Sequence, residues 1–449
     1  MIPTQTRLQP TTSTLQLLAY SGPAVPLSMM MLMLIVYIPP FYALELGMDM
    51  GAIGFIFLLA RAWDALIDPV IGNFSDRTRS RFGRRKPWIA IGTPGLMFLL
   101  WAFCMPPENI TVFYLGAVAF IFYVALTSVQ IPYLSWGAEL SRDYKLRTKI
   151  NGFREAGTMI GTLCATAVPL WFLRGSEPSL RDILGVFTMT VLILLPVSVF
   201  LALRFTPKRE EVPVESPSLI KSLSLLKVNL PARRILTGIF FLWLGGAVYN
   251  AMALFVVDRI LELPNSMFLV FVFVQYAVSF LGLPIWVRLA NRYSRHKMLV
   301  IGSMAFLGAL PLFLVIPAGN PVAASLLFAL LGLVTSVIWV MPPALISDTI
   351  EYGIFKGLTD DSAIYMALYY FVQKMALAVG VGVALPLAGI MGFNPVTGGG
   401  EAGQTALSFV ALFLPVALAL PGAYLLFNHP IDRRRHEIIR KWMVRKGLT

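Results

Sequence analysis

Three ionisable residues interrupt a single apolar run in Arg61-Ala-Trp-Asp64-Ala-Leu-Ile-Asp68-Pro69. On a helix, Asp64 and Asp68 stand one turn apart with Cβ atoms about 5–6 Å from each other, and Arg61 falls on the same side. Two carboxylates that close repel in low dielectric, so one must be protonated, paired with a cation or bound to an ion. A hard cation such as Na⁺ takes oxygen ligands, whereas a proton needs a single carboxylate. The alternative is a static Arg61–carboxylate pair that locks helices together, and it leaves one aspartate unexplained. A fourth isolated charge is Lys374, in Val372-Gln-Lys374-Met375 of another apolar run. It lies too deep to snorkel easily and is expected to face a central cavity and a carboxylate. There it serves either as a structural salt bridge or as the group that holds an ion site while it is empty. Ionisable groups in a membrane segment are costly and therefore point to function.

The elements that position these residues are membrane spans. The chain has 449 residues, 57% of them hydrophobic and only 13% charged, with mean hydropathy +0.75. Soluble domains carry about 25% charged residues, so the apolar surplus must face lipid. Twelve apolar segments are predicted near 16–42, 51–74, 88–106, 111–137, 153–173, 182–203, 235–257, 265–287, 298–317, 321–347, 363–391 and 404–428. The first is long enough to span rather than to be removed as a signal. With the N-terminus placed inside, 31 of the 36 Lys and Arg fall on the cytoplasmic side. That bias predicts both termini in the cytoplasm and explains the net charge of +13 without a nucleic-acid partner. Cys104 and Cys164 both fall in apolar segments and read as small buried hydrophobes. Asn109-Ile-Thr111 fits a glycosylation acceptor that matters only in a secretory-pathway host.

The longest polar interruption, 204–234, separates six spans from six. The predicted organisation is a cytoplasmic segment 1–15, a six-helix bundle 16–203, a central cytoplasmic loop 204–234, a second bundle 235–428 and a basic cytoplasmic tail 429–449. The halves echo each other. The basic loop ending Arg84-Arg-Lys86 recurs as Asn291-Arg-Tyr-Ser-Arg-His-Lys297, and Gly137-Ala-Glu139-Leu recurs as Ile346-Ser-Asp348-Thr. Matching offsets at two places point to duplication. An all-α membrane protein with twelve spans in two six-helix halves describes the major facilitator fold, with substrate bound near the midplane. Pro23, Pro26, Pro39, Pro40 and the Pro342-Pro343 pair interrupt spans. Such breaks are tolerated where they are buried or line a cavity.

At these residues the chain resembles the glycoside–pentoside–hexuronide:cation symporters. The marks are Arg61-x-Trp63-Asp64-Ala65-x-x-Asp68-Pro69, Arg77-Thr-Arg79-Ser-Arg81-x-Gly83 with Lys86-Pro-Trp88, and Asp348-Thr-x-x-Tyr352-Gly-x-Phe355-Lys356. The resemblance implies that Asp64, Asp68 and Thr127 form the cation site, holding Na⁺ if the protein is sodium-coupled. It implies that Arg61 and Lys374 belong to the coupling network, and that Trp63, Arg154 and Trp339 contact the sugar. The chain departs from the family at two sugar-binding acids: Ser28 stands at one position and Gln130 at the other. Gln130 still hydrogen-bonds a hydroxyl, but without charge assistance.

The function expected is cation-coupled symport, with Na⁺ or H⁺, of a sugar or glycoside by alternating access through the cell (inner) membrane. The protein is expected to work as a monomer, without a cofactor and not as an enzyme. A carrier of lysolipids or other amphipathic molecules is the second reading. An intramembrane aspartyl protease is discounted, because it needs acids on two facing helices and this pair lies on one. No nucleotide-hydrolysis motif is present.

Overall fold

Proline and glycine set the course of the first span. In the computed structural model, which describes residues 13–140, 144–174, 178–206, 229–356 and 362–430 with Ile438 and Trp442, α1 is three stacked pieces. These are Thr14–Ser21, Ala24–Val36 and Ile38–Leu44. Pro23 precedes the second piece and Pro39-Pro40 open the third, where the missing N–H costs nothing. The remaining spans are α2 (Met50–Arg77), α3 (Lys86–Cys104), α4 (Val112–Glu139), α5 (Tyr144–Phe172), α6 (Leu180–Phe205), α7 (Leu230–Arg259), α8 (Asn265–Arg292), α9 (Arg295–Leu314), α10 (Pro321–Phe355), α11 (Ser362–Ile390) and α12 (Gly400–Phe427). No strand occurs among the described residues.

Eleven of these spans are long and apolar enough to cross a bilayer. The exception is α5, which has 29 residues but carries Lys145, Arg147, Lys149, Arg154 and Glu155 in its first half. Large apolar side chains such as Phe113 and Ile390 stand more than four-fifths exposed, a surface that requires lipid. The protein is therefore a multi-pass membrane protein. The predicted segment 1–15, loop 204–234 and tail 429–449 lie mostly outside the described residues.

Proline also shapes later spans. Pro342 and Pro343 lie inside α10, where they remove two helix amides and free the carbonyls of Ile338 and Trp339. Before Pro415, α12 widens into a π turn over Phe409–Phe413, the usual response to a missing donor.

Helices pack mainly within two groups: α2 and α3 on α4, α1 on α5, α7 on α11 and α12, and α10 on α8 and α9. The groups meet along α2–α11 and α5–α8. Even-numbered helices end, and odd-numbered ones begin, at the side that bears the basic α2–α3 and α8–α9 loops, hereafter the basic end.

The duplicated motifs make equivalent contacts at that end. Arg84 pairs with Glu139 at 2.9 Å, and its counterpart Arg295 pairs with Asp348 at 2.6 Å. Lys86 donates to the carbonyls of Leu203 and Thr206 at the end of α6, while Lys297 lies over Phe427 at the end of α12.

Candidate functional site

The apolar pattern of α2 decides which way its charges point. Phe55, Leu59, Trp63, Leu66, Val70 and Phe74 are all exposed, and their spacing of three or four traces one lipid-facing stripe. Arg61, Asp64 and Asp68 lie on the other side, with Arg61 and Asp64 buried. Asp49 caps the helix by accepting from the Ala52 amide at 2.8 Å, and the helix continues through Pro69. Asp64 consequently sits about 20 Å from either end of α2.

Two other helices complete the cluster at the same depth. From α4, the Thr127 hydroxyl lies 2.9 Å from Asp64 Oδ1 and 3.1 Å from Asp68 Oδ1, positioned to donate to either. From α11, the Lys374 ammonium lies 2.9 Å from Asp64 Oδ2 and 2.6 Å from Asp68 Oδ2. Only the contact with Asp68 has hydrogen-bond alignment; Asp64 Oδ2, facing the ammonium, accepts no hydrogen bond. One hydroxyl and one ammonium thus join both carboxylates. Asp64 is nearly dry, at 1% exposure, against 21% for the Asp68 side chain.

Arg61 takes a different partner from the one its spacing allowed. It makes no ion pair with either aspartate among the described residues; its guanidinium lies over the Tyr123 ring, 5.0 Å from the centroid. The static Arg61–carboxylate pair is therefore not formed, because Lys374 from the other bundle occupies both carboxylates. Nothing but its place one turn above Thr127 marked Tyr123 in the sequence.

The residues expected to contact substrate are scattered more widely. On α5, Arg154 pairs with Glu155 at 2.6 Å and lies near Tyr20 on α1 and Tyr370 on α11. Trp339 on α10 is exposed and meets Trp243 of α7 edge-to-face at 6.0 Å. Gln130, one turn beyond Thr127, is half-buried and makes no hydrogen bond among the described residues. Ser28 donates to the Val25 carbonyl of its own helix at 2.9 Å, and its hydroxyl packs where Gly161 of α5 leaves room. Trp63 belongs to the lipid-facing stripe and packs on Phe120. The structure thus gathers Asp64, Asp68, Thr127 and Lys374, and leaves Ser28 and Trp63 turned away from them. Glu155, Tyr370 and Trp243 were missed by sequence reasoning. The adjacency of Glu155 to Arg154 was the one visible signal.

Access differs between the two ends. Toward the basic end α5 exposes Asn151 and Gly152, and within the spans α5 exposes Glu155 and Ala156, α10 exposes Trp339 and Ser347, and α11 exposes Ala367 and Tyr370. Polar groups exposed at that depth face water rather than lipid. Toward the opposite end, residues 36–43 of α1 and 251–257 of α7 are entirely buried. There α2 and α11 touch closely: a Cβ on Gly54 would lie 2.5 Å from Pro386 Cδ, and one on Gly382 would lie 2.7 Å from Leu58 Cβ.

Twelve spans in two bundles, with a buried charge cluster at mid-depth between them, define a secondary transporter of the major facilitator type. Residues 19–433 match the family described as MFS/sugar transport protein, and the chain belongs to that family. Among its relatives, the glucuronide carrier protein homolog of Escherichia coli (strain K12) is 26% identical, with 79% of this chain and 78% of that protein aligned. The sodium-dependent lysophosphatidylcholine symporter 1-B of Danio rerio is 23% identical, covering 90% and 82% of the two chains. Among solved structures, the nucleoside transporter NupG (D323A mutant) superposes with TM-score 0.67 at 14% identity, over 93% of this chain and all of that one; this likeness concerns the fold. The protein is a symporter, not an enzyme.

Proposed function

We propose that this symporter couples Na⁺ or H⁺ to the transport of a sugar or glycoside. The observation that carries the reading is the ammonium of Lys374, supplied by α11, held against both carboxylates of α2. Lys374 offsets one of the pair's two negative charges while no ion is bound. An entering cation takes the oxygens of Asp64, Asp68 and Thr127, displaces the ammonium and so loosens α11 from α2. Occupancy of the ion site is thereby linked to the relative position of the two bundles. Arg154, Gln130 and Trp339 supply substrate contacts in this scheme, and Arg61 keeps the surroundings of Asp64 positive. The bundles are 16–203 and 235–428, joined by the 204–234 loop, and the basic end is cytoplasmic by its charge.

A lysolipid is the second substrate reading. Its support is the similarity to the lysophosphatidylcholine symporter together with the absence of acids at Ser28 and Gln130. Thermal stability of the purified protein, measured with glycosides and with lysophospholipids, each with and without Na⁺, tests both. A glycoside is expected to raise the Tm only when Na⁺ is present. Stabilisation by lysophosphatidylcholine alone reverses the substrate. If no ion, Na⁺ or H⁺, alters the response to any ligand, the coupling itself is refuted.

A further inference from the structure

Glu155 has no place in the ion site, yet it is a carboxylate 54% exposed in the first half of a membrane span. It stands about 16 Å along α5 from Tyr144, just inside the predicted span 153–173, where α5 packs beside α8 and near α11. With α11 beside it, the exposed carboxylate faces the space between the bundles on the side of the basic end, and Asn151 and Gly152 of the same helix are exposed as well. Neighbouring helix positions normally diverge by about 100° and do not face each other. Arg154 and Glu155 nevertheless converge to 2.6 Å, so both head groups point to one spot. Across from them lies α11, with Tyr369 and Tyr370 near Glu155. Tyr370 is one turn from Lys374 on the side of the basic end.

We infer that Glu155 is a substrate-binding residue whose carboxylate accepts hydroxyl hydrogens of a neutral polyol ring while Arg154 donates to the same ring. The inference rests on the sugar reading above and deepens it. A guanidinium beside a carboxylate offers both donors and charged acceptors, the combination that a vicinal diol satisfies with both of its oxygens. Charge counting selects the same ligand. Arg154 is already paired with Glu155 and so offers no unopposed positive charge to an anionic sugar. Glu155 repels a uronate directly. Gln130 and Ser28 provide no acid, so the charge-assisted grip on hydroxyls comes from α5.

The test uses purified full-length protein in Na⁺ and equilibrium binding of 4-nitrophenyl glycosides of glucose, galactose, mannose and xylose. The 4-nitrophenyl glucuronide serves as the anionic counterpart. Wild type is expected to prefer a neutral glycoside over the glucuronide. Glu155→Gln should weaken that glycoside by about ten-fold or more, the loss typical of one charge-assisted hydrogen bond, and should narrow or reverse the preference. Glu155→Asp should retain the preference, which separates recognition from a general effect on folding. Unchanged affinity and preference in Glu155→Gln overturn the assignment and leave the sugar reading standing. Wild type that binds none of these probes but binds lysophosphatidylcholine overturns the sugar reading, and this assignment with it.

Discussion

Two clusters of buried charge in the N-terminal bundle use the same chemistry for opposite ends. At the basic end, Arg84 and Arg85 meet Glu139, and Arg85 also meets Asp76 and the Ser75 hydroxyl. All five residues come from α2, α4 and the loop and first turn leading into α3. At mid-depth, Asp64, Asp68 and Thr127 come from that bundle too, but their cation comes from α11 of the other one. A cluster whose described members all lie in one bundle ties three helices into a unit. A cluster completed across the bundles makes their contact depend on what else binds the carboxylates. Among the described residues, the C-terminal bundle has the matching Arg295–Asp348 pair, with Arg295 38% exposed. His296 stands at the position equivalent to Arg85 and lies against His429.

The largest effect should come from breaking the cluster that crosses the bundles. Replacing Asp64 or Asp68 with Cys should weaken the coupling ion by about 10- to 100-fold, the loss expected for a charge-assisted contact. Uphill accumulation in proteoliposomes should then fall to simple equilibration; undiminished concentrative uptake would remove this cluster from the coupling role. The closed cluster should respond in stability instead. Glu139→Gln leaves Arg84 and Arg85 short of a counter-charge and should cost about 3 kcal/mol, read as a lowered Tm in detergent, with the Na⁺ dependence of the surviving protein unchanged. Altered ion dependence there would blur the division between the two clusters.

Lys374→Gln sharpens the comparison further. With the competing ammonium gone, the carboxylate pair should bind the cation about ten-fold more tightly, equivalent to about 1.4 kcal/mol, in Na⁺ titrations of thermal stability. Weaker binding would mean that Lys374 shapes the site rather than competes for it. Arg295→Gln should matter least. Its partly exposed pair is worth less than about 1 kcal/mol, and a larger fall in Tm would show that the C-terminal clamp is as tightly built as its N-terminal counterpart.

Much of this was legible in the chain. The apolar segments located the spans because each must satisfy its own backbone in lipid, and only α5 proved too polar for that rule. The repeated Arg84/Glu139 and Arg295/Asp348 positions mark only a duplication in the chain; that each arginine pairs with its acid in both halves is a finding of the fold. Asp64, Asp68 and Lys374 stood out because charge in an apolar run is costly. Partner choice was less legible. Arg61 satisfied helical spacing to Asp64 but rests on Tyr123, and Trp63, one residue from Asp64, faces away with Leu66 and Val70.

Helical periodicity and desolvation act locally, so the sequence by itself determined which segments cross the membrane, which face of α2 is charged and that its carboxylates require a proton, a cationic partner or a bound ion. Which cation answers them was decided only by tertiary structure. Lys374 is 306 residues from Asp68, and its ammonium reaches the pair because small residues at Gly54 and Gly382 let α2 and α11 approach closely. The same holds for Glu155, whose exposed carboxylate acquires meaning only when the fold places α11 beside it.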